Sequence, residues 1–402
     1  MAKNRMYTEE LAFIETVSES IQSNDVDKKH SVLPNETSDH KGLIKAHSDS
    51  VSSEYNFTFP CKNSVSAYLN KIDWSLFYKV THVQLIERFM NDWANYIIGP
   101  QIVSTEKKLL KIIHWILWIE YWEDEFQARY LGGQDANHVI EAQLHVYDAR
   151  ECLSKLISQL FPNDVYFIEE QVDEIINSFH QGRNLLFTCN TFKALKEPKK
   201  SEADESSLSE EADRMLNEHT SHFFTFSQSC KPFVNSDFLK NYLKQIYYSH
   251  SKLFEISANI LFTLNGNHEN SHEEVLDYAI NLGFVQQLMT DLFNLMPRNN
   301  DRQEFYQKHG LWILPHQQPF KELQEGRVPL AIMYLLNSPD LDKKPADWFG
   351  ESDYQEYFSK PGIQTKVFNE LKKNRILQDL QHRIFLLLDH DLQPFCQLGI
   401  VQ

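Results

Sequence analysis

Along most of this chain, apolar residues recur three and four positions apart, the period of an amphipathic helix rather than of a strand. The pattern runs through 75–98, 106–130, 137–160 and 164–195, and again through 236–262, 272–296, 320–337 and 363–390. Alternating stretches are scarce. With only 12 Gly and 14 Pro in 402 residues, the chain also lacks the turn chemistry that a sandwich or barrel requires. The expected architecture is a single all-α bundle over residues 63–400.

Two stretches fall outside that period. Residues 1–62 are rich in Ser, Asn, Asp and Lys and poor in aromatics. They are expected to form a disordered polar tail, with room for one short amphipathic helix near 8–22. Residues 196–213, KEPKKSEADESSLSEEAD, contain no aromatic and are expected to be a flexible, solvated acidic insertion in a loop.

Charge narrows the partners. The chain carries 39 Lys+Arg against 56 Asp+Glu, a formal net charge of −17. Neither a nucleic-acid backbone nor an anionic membrane surface suits such a field. An anionic ligand would need a metal ion or a local basic pocket. Five Cys, at 61, 152, 189, 230 and 396, show no CxxC or zinc-finger spacing. They read as reduced thiols of a cytoplasmic protein. The N-terminus lacks the apolar stretch of a signal peptide, and the most apolar run, Leu109 to Trp122, is broken by Lys111, His114 and Glu120. No transmembrane segment is expected.

Three segments carry chemistry. In Glu120-Tyr-Trp-Glu123-Asp124-Glu125, Glu120 and Asp124 share one helix face after the apolar stretch IIHWILWI. A carboxylate in that setting wants water, a cation or a metal. Mg²⁺ takes one or two carboxylates and fills its remaining positions with water and phosphate oxygens. Acid pairs at this spacing are common, and taken alone the segment reads first as a solvated helix face. In the second segment, Gln287, Thr290, Asp291 and Asn294 gather oxygen ligands around one formal charge. An ordinary amphipathic helix would also present them. In the third, Gly326-Arg327-Val-Pro329 precedes an apolar helix. It could hold a guanidinium where anions bind well, or simply be a turn with Pro at a helix start.

Taken in this order, the segments resemble the class I isoprenyl diphosphate synthase superfamily, which includes the trans-prenyltransferases and related terpene synthases. Leu282-Gly283, Gln286-Gln287, Thr290-Asp291-Leu-Phe-Asn294 and Gly326-Arg327-Val-Pro329 stand where that family has Leu-Gly, Phe-Gln, Asp-Asp-x-x-Asp and Gly-Lys-x-Thr-Leu-Pro. Tyr248-Ser-His-Ser-Lys252-Leu-Phe-Glu is similar to its Lys-Thr-Ala-x-Leu-Phe segment, and Gly182-Arg183 to its Gly-Gln. Glu120-Tyr121-Trp-Glu-Asp124, followed by Arg129 and Gly132-Gly133, stands for its first Asp-rich motif.

The resemblance implies a helical bundle around a central cavity and ionisation of an allylic prenyl diphosphate by Mg²⁺, in isoprenoid biosynthesis. Carried over residue by residue, Glu120, Asp124, Thr290, Asp291 and Asn294 would be metal ligands, with Glu120, Asp124 and Asp291 catalytic. Arg129, Arg183, Lys252, Gln287 and Arg327 would bind substrate. Trp115, Trp118, Tyr121 and Trp122 would line the hydrocarbon cavity or pack the core, and a homodimer or a heteromer with an active synthase subunit is implied. The chain departs from the family at both metal motifs: Glu and Tyr replace two Asp of the first, and Thr and Asn replace two of the second. No basic Gly-Lys-Arg segment stands before Lys107-Lys108. Three functions follow: an active prenyltransferase, a terpene cyclase on the same fold, or a non-catalytic partner subunit or isoprenoid-binding protein.

Overall fold

A computed structural model of the chain describes residues 68–69, 71–81, 83–97, 103–131, 133, 135–189, 191–192, 207–220, 223, 236–265, 272–297, 299–314, 318–336 and 354–389. The tail expected over 1–62 lies outside them, as does Gly132. The described residues are all-α, and their one extended pairing is an isolated antiparallel bridge between Thr191 and Arg327.

The expected helices form, with breaks where local chemistry imposes them. The run 75–98 divides into α1 (Trp74–Val80) and α2 (Gln84–Ile97). Asp73 caps α1 by accepting the Leu76 N–H at 3.1 Å, and Thr81 closes it by donating its hydroxyl to the Phe77 carbonyl at 2.8 Å. α3 (Val103–Leu131), α4 (Ala136–Leu160) and α5 (Val165–Thr188) follow the sequence pattern closely. Part of the expected acidic loop is instead helical: α6 (Ser207–His219) buries Ala212, Met215 and Leu216, while Asp213 pairs with Lys240 and Lys244.

α7 (Ser236–Ile246) passes through a π-helical turn, Tyr247–Ser251, into α8 (Lys252–Asn265). α9 (His272–Asn294), α10 (Asn299–His309) and a 3₁₀ turn at Gly310–Trp312 come next. The run 320–337 is not one helix but two short ones, α11 (Lys321–Gln324) and α12 (Leu330–Leu336). Gly326 at φ 77° and the ring of Pro329 interrupt it. After α13 (Tyr354–Ser359), the run 363–390 breaks into α14 (Pro361–Lys373) and α15 (Ile376–Asp389), with Arg375 in the left-handed region at φ 55°.

The described residues group into two compact units. The first comprises the described residues of Met1–Thr81 and Trp115–Gln159, and the second those of His82–His114 and Leu160–Gln402. In the first, aromatic rings make the core. Phe77 lies 5.5 Å from Trp115 and 5.2 Å from Trp118, and Trp122 stacks on His145 at 3.9 Å. The Trp118 indole N–H donates to the Tyr68 hydroxyl at 3.0 Å, which satisfies its polar edge.

In the second unit α9 is central: every residue from Tyr278 to Met296 is buried. A helix covered on all sides must be apolar or have its polar groups bonded internally. α8, α12, α15 and the π-helical turn pack around it. Two glycines allow the π-helical turn to sit tightly against its neighbours. A Cβ built on Gly283 of α9 would fall 2.4 Å from Ser251 Cα, and one on Gly182 of α5 would fall 3.1 Å from Ser249 N. The Ser178 hydroxyl of α5 donates to the Tyr248 carbonyl at 2.7 Å, bonding a carbonyl within the π-helical turn.

Candidate functional site

The second oxygen-bearing segment occupies the last turns of α9, deep in the second unit. Thr290 has no exposed surface, Asp291 is 4% exposed and Asn294 1%. Each is engaged by the chain itself. The Gln287 amide donates to Asp291 Oδ1 at 2.6 Å, one turn away on the same face, and the Tyr242 hydroxyl of α7 donates to Oδ2. Thr290 donates its hydroxyl to the Gln286 carbonyl at 2.8 Å and accepts the Leu314 N–H at 3.1 Å. The Asn294 carbonyl accepts the Phe320 N–H at 2.7 Å.

A second carboxyl group joins this cluster. Glu322 of α11 is hydrogen-bonded to Asp291 and to Asn294. Burial, and then the negative charge of Glu322, push the Asp291 carboxyl well above the usual carboxylate range. Burial raises Glu322 as well, and the Arg327 guanidinium opposes that rise. Burial and the neighbouring Asp291 charge push the Tyr242 hydroxyl up, so it remains a donor.

A class I site implies Mg²⁺, and the donor set at α9 does not fit that ion. Both oxygens of its single Asp already accept hydrogen bonds, burial and the charge of Glu322 hold that carboxyl above the usual carboxylate range, and its hydroxyl ligand is spent on a backbone N–H. Mg²⁺ needs deprotonated, rehydratable oxygen ligands in near-octahedral array. Among the described residues, no group of three or more His, Cys, Asp or Glu side chains is disposed to hold a metal ion.

The first acidic segment lies on α3 within the first unit. Asp124 is exposed and Glu120 half-buried. Glu123, between them, is taken by Arg150 of α4 at 2.7 Å. Arg129 is held by Glu125 at 3.3 Å, by Glu141 at 3.4 Å and by the His138 carbonyl at 2.9 Å, and its guanidinium stands 5.7 Å from the Trp122 ring. Trp115, Trp118 and Trp122 are buried in the core of this unit, so the cavity-lining role considered for them gives way to packing. Tyr121 stacks on Trp118 at 5.6 Å.

The remaining candidate cations are also engaged or enclosed. Lys252 is buried, 3.1 Å from Glu174 and 3.0 Å from Glu255, and the Tyr247 hydroxyl donates to Glu255 at 3.0 Å. Arg183 is buried on α5 beside Gly182. Arg327 pairs with Glu325, and its backbone N–H donates to the Glu322 carbonyl at 2.8 Å.

The structure thus brings Gln287, Thr290, Asp291, Asn294 and Arg327 into one neighbourhood. Lys252 sits in a separate ion-paired group of the second unit, and Glu120, Asp124 and Arg129 belong to the first. Sequence reasoning missed Tyr242 and Glu322. Glu322 was visible five residues before Arg327, but its approach to α9 depends on the tertiary tie at Phe320, whose N–H donates to the Asn294 carbonyl. Tyr242 carried no signal beyond the helical period.

No protein-family model and no curated protein matches the sequence. Among solved structures, the chain is similar to a decaprenyl diphosphate synthase from Rhodobacter capsulatus and to a polyprenyl synthase from Caulobacter crescentus CB15 complexed with calcium and isoprenyl diphosphate. Each is 12% identical, with a TM-score of 0.49 and 88% of both chains covered. Among the described residues, no helix is long and apolar enough to cross a membrane.

Proposed function

We propose that this chain is a prenyltransferase-like protein of isoprenoid biosynthesis that does not ionise diphosphate itself, and serves as a partner subunit of an active prenyl diphosphate synthase. The observation that carries this reading is the internal pairing of the groups a class I site must leave open. Asp291 is bonded by Tyr242 and Gln287, Lys252 by Glu174 and Glu255, Arg129 by Glu125 and Glu141, and Arg327 by Glu325. A diphosphate would have to displace a carboxylate from each of these cations, and a metal would have to displace the hydrogen bonds of Asp291. The ordered motifs along the sequence support the isoprenoid-synthase bundle. The test is to titrate the purified chain into a catalytically active prenyl diphosphate synthase from the same source. The expected result is a heteromer by light scattering with altered turnover or product length. Two non-interacting species and unchanged turnover would count against it.

A second reading, prenyl transfer by the chain itself with Mg²⁺, rests on Glu120 and Asp124. They share a face of α3, and Asp124 is exposed at the surface of its unit. Glu120→Ala would then abolish a measurable turnover, whereas the partner reading predicts none to abolish.

A further inference from the structure

The core of the first unit holds a histidine that the candidate site does not use. His145 of α4 lies flat on the Trp122 indole of α3, 3.9 Å away and 8° from parallel. Its other aromatic neighbour is Tyr68, with ring centroids 5.6 Å apart. Three polar contacts meet at the Tyr68 hydroxyl. It accepts the Trp118 indole N–H at 3.0 Å, and it lies 3.3 Å from both Nδ1 and the backbone carbonyl of His145. That hydroxyl has one proton to give. With the ring neutral and its own proton on Nε2, Nδ1 is open to it, and Tyr68 is tied to the histidine side chain. With the ring protonated, Nδ1 becomes a donor, and the hydroxyl must turn its proton to the carbonyl.

The surrounding charges oppose an imidazolium. On α3, Arg129 stands 5.7 Å from the same Trp122 ring. An indole face attracts a cation, but here Arg129 already draws on it. On α4, Glu141 favours the charged ring, yet it also pairs with Arg129 at 3.4 Å. Asp148, also of α4, acts on the Tyr68 hydroxyl. Lys71, in the stretch before α1, adds a second opposing cation. Burial is the largest influence, and the ring titrates below the ordinary histidine range. A histidine of this kind takes up a proton when it opens, so its contribution is full at neutral pH and is lost as pH falls below about 6.5. We propose that His145 is an acid-sensitive clasp, which joins α3, α4 and Tyr68 when neutral and loosens α4 from its neighbours in the first unit when protonated. The clasp lies wholly within that unit and acts whether or not the chain has a synthase partner.

Hydrogen exchange on the full-length protein decides it, read on the amides of residues 142–157 and corrected for the intrinsic pH dependence of exchange. Wild type should lose protection between about pH 7.5 and about pH 5, by up to about tenfold per pH unit below about 6.5, since one proton is taken up on opening. His145→Phe keeps a ring on Trp122 but cannot titrate, and it should remove that slope. His145→Gln, which keeps an acceptor for Tyr68, should remove it as well and serves if the Phe protein does not fold. Glu141→Gln withdraws the anion that favours the imidazolium and should deepen the loss. Wild-type protection that holds as pH falls, or a slope that survives in the His145 variants, would overturn the proposal. The readout is exchange within one unit, so its failure is distinct from a failed heteromer.

Discussion

Gly283→Ala isolates the tightest packing in the second unit. The added Cβ would sit 2.4 Å from Ser251 Cα, 2.7 Å from Ser251 N and 2.9 Å from its hydroxyl oxygen. The first two are backbone atoms, so no side-chain rotation relieves the contact. Reaching ordinary van der Waals separation requires α9 and the π-helical turn to part by about 1 Å, and packed interiors do not absorb that shift freely. Because the contact is with backbone, the cost falls at the upper end of the overpacking range, roughly 2–3 kcal/mol. Ala gains about 1 kcal/mol over Gly in helix propensity, which offsets part of it. A net loss of about 1–2 kcal/mol corresponds to roughly 2–8 °C in Tm for a unit of this size. Gly362→Ala is the matched control. Gly362 lies in the first turn of α14 with nothing within 4 Å of an added Cβ, so the same change should hold or raise Tm. Thermal denaturation by circular dichroism measures both. A Gly283→Ala protein as stable as the Gly362→Ala one would refute the argument that the π-helical turn is gripped by backbone contact.

Other outcomes follow from named groups. Glu106 in the first turn of α3 is 3% exposed, and burial, with the charge of Glu87 adding to it, raises its carboxyl to about 7. A carboxyl raised on folding binds more protons in the native state, so stability should fall between about pH 4.5 and 7 and level off above. Glu106→Gln should therefore gain about 1–2 kcal/mol at pH 8 and nothing at pH 4.5, read from urea midpoints. Lys252→Met should destabilise by about 2–4 kcal/mol by leaving Glu255, 16% exposed at its side chain, without its cation. Lys155→Ala, an exposed pair with Glu151, should change stability by less than about 0.5 kcal/mol. Tyr242→Phe should cost about 1–3 kcal/mol, because the buried Asp291 loses a donor it cannot replace with water.

What could be read from the sequence was whatever depends on local period and chain punctuation. The long helices α3, α4, α5 and α9 were legible because each buries a face at helical spacing, and Pro329 and Gly326 marked the turn before α12. The split at Asn374–Arg375 was not, because a left-handed Arg leaves no compositional trace. α6 was missed because Ala212, Met215 and Leu216 are a sparse apolar face in a Ser- and Glu-rich stretch. The candidate site was half visible. Thr290, Asp291, Asn294 and Arg327 stood out by order, yet their chemistry depends on Tyr242, which is distant in sequence, and on Glu322, whose approach to α9 depends on the tie at Phe320. Whether a carboxylate is open to a metal or closed by donors is a tertiary fact. The buried Trp residues of α3 make the same point, since an aromatic stripe looks identical whether it lines a cavity or fills a core.

The central claim is that the chain's own side chains occupy the groups that metal-dependent ionisation would need. Its most direct test is diphosphate release by the purified protein with Mg²⁺, offered dimethylallyl, geranyl, farnesyl and geranylgeranyl diphosphates with and without isopentenyl diphosphate. The account predicts no release from any of them by the chain alone. Mg²⁺-dependent release that disappears in Asp291→Ala would contradict it.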